Sequence, residues 1–108
     1  MKLVFFTTRS GHSPVIKFLN GLSLDDKVRC LEHFSHLEKY GFQLSAKYIK
    51  KIKGEKRLWE LRVSASKQYR FLFTTQSHQY IILLGFVKKT QKTPMNAIKL
   101  ALKRSKNL

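Results

Sequence analysis

The chain has 108 residues and carries 22 Lys+Arg against 6 Asp+Glu, a formal charge of +16 at pH 7. That length holds one domain, 1–108, and the hydrophobic content of 43% supplies one core and excludes a disordered chain. No apolar run approaches the roughly 20 residues that span a membrane, and the Met1–Phe6 start is too short for a signal peptide. The single Cys30 excludes an internal disulfide and a Cys-based zinc site, and fits a reducing cytoplasm.

In chain order, Lys2 to Thr8 reads as a strand burying Val4, Phe5 and Phe6. Ser13-Pro14 starts a short helix that Asn20-Gly21 ends. Ser23 caps the next helix, with Asp26 in a capping-box position and Asp25-Asp26 favouring the positive end of the helix dipole. Leu24, Val28, Leu31, Phe34 and Leu37 are expected to form one apolar stripe, ending near Tyr40-Gly41. Tyr48 to Gly54 looks extended or loop-like. Leu58 to Ser64, Gln68 to Thr75 and Gln79 to Lys88 read as three strands joined by hairpin-length links. Thr93-Pro94 starts a last helix, with Met95, Ile98 and Leu102 on its apolar side and Lys99, Lys103, Arg104 and Lys106 on its basic side. The order β-α-α-β-β-β-α predicts an α+β fold: a small antiparallel sheet with helices covering one face. No apolar patch is expected to remain, which makes a monomer the default.

The charge is concentrated. No acid follows Glu60, while ten Lys and Arg do; Lys47, Lys50, Lys51, Lys53, Lys56 and Arg57 form a second cluster. Such a field attracts polyanions, nucleic acid first and an acidic protein second. Strand alternation puts Trp59, Leu61 and Val63 on one face and Glu60, Arg62 and Ser64 on the other. Gln68, Arg70 and Thr74 likewise oppose Tyr69, Phe71 and Phe73. Pairing these strands brings Arg62 and Arg70 onto one surface, near Lys50, Lys51, Lys53, Lys88 and Lys89. Glu60, the one acid there, is a candidate partner for a neighbouring arginine.

This arrangement suits RNA cleavage, in which the 2′-OH attacks the adjacent phosphate and arginines grip the added negative charge. Lysines crowded by cations have lowered pKa values, so Lys88 or Lys89 is a candidate proton carrier, with Tyr48 or Tyr69 as helpers whose default role is packing. His33 and His36, three apart on a helix, lack a third metal ligand and read as half-exposed surface. His12 and His78 read as solvated. No phosphate-binding glycine loop or catalytic triad is present.

Tyr48-Ile49-Lys50-Lys51-Ile52-Lys53-Gly54, Leu58-Trp59-Glu60-Leu61-Arg62-Val63, Tyr69-Arg70-Phe71 and the Gly85–Pro94 string resemble the phage-derived HigB-like branch of the RelE superfamily of bacterial toxins. The resemblance implies the toxin of a type II toxin–antitoxin pair. Such a toxin is a ribosome-dependent endoribonuclease that cleaves mRNA in the A site, usually without metal or other cofactor. It implies a helix-turn-helix antitoxin partner (HigA-like), with operator DNA met only through that complex. Family arginines match Arg62 and Arg70; Lys88, Lys89 and Lys92 match basic positions near the C-terminus. Lys50, Lys51 and Lys53 are assigned to RNA or ribosome contact. Replacing Arg62 or Arg70 by Ala is expected to leave folding intact. The alternatives are a non-catalytic RNA- or ribosome-binding module and a degenerate toxin that only pairs with an antitoxin.

Overall fold

Both N-terminal helices start where the sequence predicts in the computed structural model, which describes residues 1–108. The Ser13 hydroxyl accepts from the Ile16 N–H to open α1 (Pro14–Asn20), and Ser23 accepts from Asp26 N–H to open α2 (Leu24–Tyr40). Strand β1 (Lys2–Phe5) precedes them; β2 (Ile49–Lys51), β3 (Trp59–Ser64), β4 (Gln68–Gln76), β5 (Gln79–Val87) and α3 (Met95–Ser105) follow. The extended segment after Tyr48 is thus a fourth consecutive strand, paired with β3. No helix is long and apolar enough to cross a membrane.

The five strands form one sheet in the order β1-β5-β4-β3-β2. It is mixed rather than wholly antiparallel, because β1 runs parallel to β5. The two α-helices between them carry the chain across the sheet, which is what a parallel pair requires. The helices also cover both faces, not one. On one face α1 and α2 bury Val15, Leu19, Cys30, Phe34 and Leu37 against Leu61, Val63, Tyr69, Phe71 and Phe73. On the other, α3 packs Ala101, with Ala97, Ile98 and Leu102, against Leu58, Leu72, Ile81, Leu83 and Leu84. A sheet covered twice reads as a continuous apolar run, as Ile81–Leu84 does. A bulge between Leu72 and Phe73 on β4 and their partners puts adjacent Leu83 and Leu84 in the same core.

The expected α2 stripe splits in two. Each step of three residues falls back about 60° around a helix, so the Val28-Leu31-Phe34-Leu37 series crosses from one face to the other. The buried face is Asp26, Cys30, His33, Phe34 and Leu37; Leu24, Val28 and Leu31 are exposed and leave an apolar strip on the surface. Burial pushes the Cys30 thiol up to about 12, so it is an inert packing group. Met95, also expected inside, is exposed, and Ala101 is the fully buried residue of α3.

Asp26 does not reach back to close a capping box. Its carboxylate accepts from the Ser66 N–H at 3.1 Å, from the Ser66 hydroxyl and from the Tyr69 hydroxyl, tying α2 to the β3–β4 hairpin. The Ser66 and Tyr69 bonds hold its pKa below the usual 3.8. The unfolded carboxyl titrates higher than the folded one, so this stabilisation is complete above that value and is lost as pH falls through the lower folded one. Asp26→Asn is expected to lower the melting temperature at pH 7, with the gap to wild type closing toward pH 3 in thermal unfolding scans.

Gly85 faces Phe71 across the β4–β5 ladder. A Cβ on Gly85 would lie 2.5 Å from Phe71 Cε1 and 3.0 Å from Phe18 Cδ2, so the missing side chain is the seat of the Phe71 ring. Gly85→Ala is expected to cost about 1–3 kcal/mol in denaturant titration, by overpacking rather than backbone strain.

Candidate RNA-cleaving site

Arg62 and Arg70 are directly opposed in the β3–β4 register, on the α3 face of the sheet. Glu60, two residues before Arg62, lies on the same face opposite Leu72, and Lys50 of β2 is opposite Glu60. Phe86 of β5 pairs with Arg70, and Lys88 continues that row beyond the strand.

Glu60 is the centre of the cluster and is 1% exposed. Its Oε1 accepts from Arg62 Nε at 3.1 Å, and its Oε2 accepts from the Thr93 hydroxyl. Arg70 Nε lies 3.5 Å from the same Oε1, near enough for an ion pair but without a hydrogen bond. Arg70 Nη1 donates to the Tyr69 carbonyl at 2.9 Å. Arg70 is buried, whereas the Arg62 side chain keeps 27% of its surface exposed. Removing Arg70 therefore disturbs a buried ion pair. The expectation that Arg70→Ala leaves folding intact does not fit this geometry; for Arg62 it does.

Thr93, whose place before Pro94 predicts a helix cap, does not cap α3. Its hydroxyl instead joins Glu60, and Pro94 occupies the α3 cap position without a side-chain bond. This contact holds the 88–94 loop over the end of the sheet. There Gln68, Arg70, Lys88, Lys89, Thr90 and Gln91 line an open cleft of about 480 Å³ with no apolar residue in its wall.

Burial lowers the pKa of Lys88, and the charges of Arg70, Arg62 and Lys50 add to the effect while Glu60 opposes it. Burial also lowers Arg70, against the pull of Glu60.

The other basic residues divide. Lys50 shares the cluster face, and Lys89 lines the cleft. Lys51 stands 5.7 Å over the Trp59 ring, on the opposite face of β2 and β3. Lys53 lies exposed after β2, and Lys92 is exposed in the 88–94 loop, where its carbonyl accepts from the Thr90 hydroxyl. Arg104, expected on the basic side of the last helix, stacks on Phe6 and donates to the Leu83 carbonyl at 2.7 Å, at the β5 bulge.

Neither tyrosine joins the cluster. Tyr69 points into the α2 core, and burial with the Asp26 bond raises it to about 12. The Tyr48 ring packs 5.8 Å from His33 on the α2 side. His33 is buried rather than half-exposed, with Nδ1 2.9 Å from the Arg29 carbonyl, and its ring is 6.0 Å from that of His36. No group of three or more His, Cys, Asp or Glu is placed to hold a metal ion.

Sequence reasoning found the arginine pair from alternation alone. It did not find Thr93, because a threonine before proline is read first as a helix start.

A comparison with curated proteins finds no match. The family of phage-derived Gp49-like proteins (DUF891) matches residues 17–106, a stretch that contains every residue of the cluster and the cleft. The chain is a member of this phage-derived Gp49-like family.

Proposed function

We propose that this chain is an endoribonuclease of the RelE type, in its HigB-like branch: a ribosome-dependent toxin that cuts mRNA and is held in check by a helix-turn-helix antitoxin. The observation that carries the reading is the Arg62–Glu60–Arg70 cluster beside a polar cleft walled by Lys88 and Lys89. The mixed sheet with two helices after its first strand and one after its last is consistent with that fold family. Work on the ribosome implies a cytoplasmic protein.

In the proposed reaction the RNA phosphate enters the cleft. Arg62, whose Nε is fixed by Glu60, offers its terminal nitrogens to the phosphate. Arg70, which lines the cleft and is ion-paired with Glu60 through Nε, adds its positive charge there. Both strengthen as the 2′-oxygen attacks and charge builds on the phosphorus oxygens. Lys88 takes the 2′-OH proton as a neutral amine, a form its lowered pKa makes more abundant near neutral pH. The P–O5′ bond breaks to leave a 2′,3′-cyclic phosphate and a 5′-oxygen that takes a proton from water. Lys50, Lys51, Lys53 and Lys92 hold the RNA backbone and ribosome by charge.

Induction of the chain in a bacterium, with mRNA 5′ ends mapped, tests the reading. Growth arrest with new codon-phased ends supports it. Normal growth with soluble protein and no new ends removes it. The pH profile tests Lys88: cleavage rises with pH as the amine loses its proton. Lys50→Ala removes a neighbouring cation and is expected to move that rise to higher pH. Lys88→Arg is expected to abolish it.

One observation favours a second reading. Glu60 engages both arginines, as a purely structural cluster would, and Lys51, Lys53 and Lys92 spread charge beyond the cleft. A non-catalytic RNA- or ribosome-binding module, or a degenerate toxin that only pairs with its antitoxin, accounts for both. Ribosome co-sedimentation without new mRNA ends would select the binding module.

A further inference from the structure

Strand β5 outruns its parallel neighbour. β1 pairs with it only from Gln79 to Ile82, and the Phe6 N–H adds one last bond to the Ile82 carbonyl. From Leu83 to Val87 this side of β5 has no strand beside it. The Lys88 N–H donates to the Gln68 carbonyl at 2.7 Å, next to the Tyr69–Val87 pair. Bonded and non-bonded pairs alternate along an antiparallel ladder. Leu84, Phe86 and Lys88 therefore turn their backbone groups toward β4, and Gly85 and Val87 turn theirs to the open edge. No loop or helix backbone group bonds Gly85 or Val87. The open stretch begins at the Leu83 carbonyl, which Arg104 caps.

Leu84 and Gly85 of this stretch form the floor of a groove of about 530 Å³ between α1 and α3, walled by Lys17, Phe18, Leu22, Leu100 and Arg104. The groove runs on into a second cleft that shares Leu100 and Arg104 and adds Arg9 and Lys103. No acidic side chain lines either one.

We infer that the Leu83–Val87 edge is a docking site for an extended, acidic segment of a partner protein, which adds to the sheet beside β5. A free edge offers an N–H and a C=O from the same residue, repeated two residues on, and a peptide strand answers both. RNA phosphates only accept, so they leave the outward carbonyls unmatched. The apolar floor takes alternate side chains of the strand, and Arg9, Lys17, Lys103 and Arg104 take its carboxylates. A second copy of this chain is a poor occupant, because each brings a charge of +16. The inference does not depend on the nuclease reading.

The test uses the whole protein and a strand-length peptide of alternating isoleucine and glutamate, beside the same peptide N-methylated throughout. Amide hydrogen exchange is followed by NMR. The expected result is slowing of about tenfold or more at Gly85 and Val87 with the first peptide and none with the second. Equal binding of both peptides, or protection only at other sites, overturns the inference, since charge alone would then explain the affinity. The same protection from an oligouridylate, or protection that grows with protein concentration without peptide, also overturns it in favour of RNA or a second copy. Val87→Pro removes an outward N–H without touching the bonds to β4. If it melts like wild type, it is expected to lose the Gly85 protection; retained protection counts against the site. If it fails to fold, the pair of peptides still decides. Lys17→Glu, at an exposed position, is expected to weaken binding of the acidic peptide severalfold.

Discussion

Arg62→Ala is expected to abolish growth arrest and the new mRNA 5′ ends while the protein stays folded and soluble. Arg62 is the arginine of the pair that faces solvent, and its Nε bond to Glu60 sets the direction of the fork. A donor placed on developing phosphate charge contributes on the order of 10²–10³ in rate. Its loss leaves Glu60 with the Thr93 hydroxyl and the nearby Arg70 charge, so the buried carboxylate keeps partners. Arg62→Lys is expected to rescue little, because an ammonium cannot make two parallel bonds to a phosphate. Unchanged toxicity in Arg62→Ala would remove Arg62 from the site. A matching fall in melting temperature would assign the arginine to stability instead.

Glu60→Ala is expected to be the most destabilising single change in the cluster. It leaves Arg70 buried, opposite the like charge of Arg62, with no carboxylate between them. Breaking a buried ion pair from one side costs about 3–5 kcal/mol. In a domain of this size that is a fall in melting temperature on the order of 15 °C. The double variant Glu60→Leu with Arg70→Met removes both charges and is expected to recover most of the loss, because a well-packed apolar pair can replace a buried ionic one. A thermal-melt cycle of the singles and the double measures the coupling. An independent, additive result would show that Glu60 and Arg70 do not act as a pair.

The arginine pair was legible because a strand alternates every two residues, and a run such as Trp59–Val63 fixes which side of Arg62 is core. The helix starts were legible because Ser13 and Ser23 act within one turn of themselves. The α2 stripe misled, since a series spaced by three looks periodic while drifting around the helix. At Asp26 and Thr93 the neighbouring residues suggest a local role, capping in each case. Their actual partners, Ser66 with Tyr69 and Glu60, lie 40, 43 and 33 residues away.

By itself, the sequence determined the α+β composition, the three strands between Leu58 and Lys88 and the helix after Pro94 to within a few residues, and a basic C-terminal half with Arg62 and Arg70 on a common surface. Each of these follows from properties of neighbouring residues: alternation, caps and summed charge. Only the tertiary structure decided that β1 runs parallel at the β5 edge, that helices cover both faces, and that Glu60 is buried between two arginines under the Thr93 loop. It also left one end of β5 open between α1 and α3. These depend on which distant segments share a surface, and hydrophobic burial, being non-directional, places no such information in any one stretch of chain.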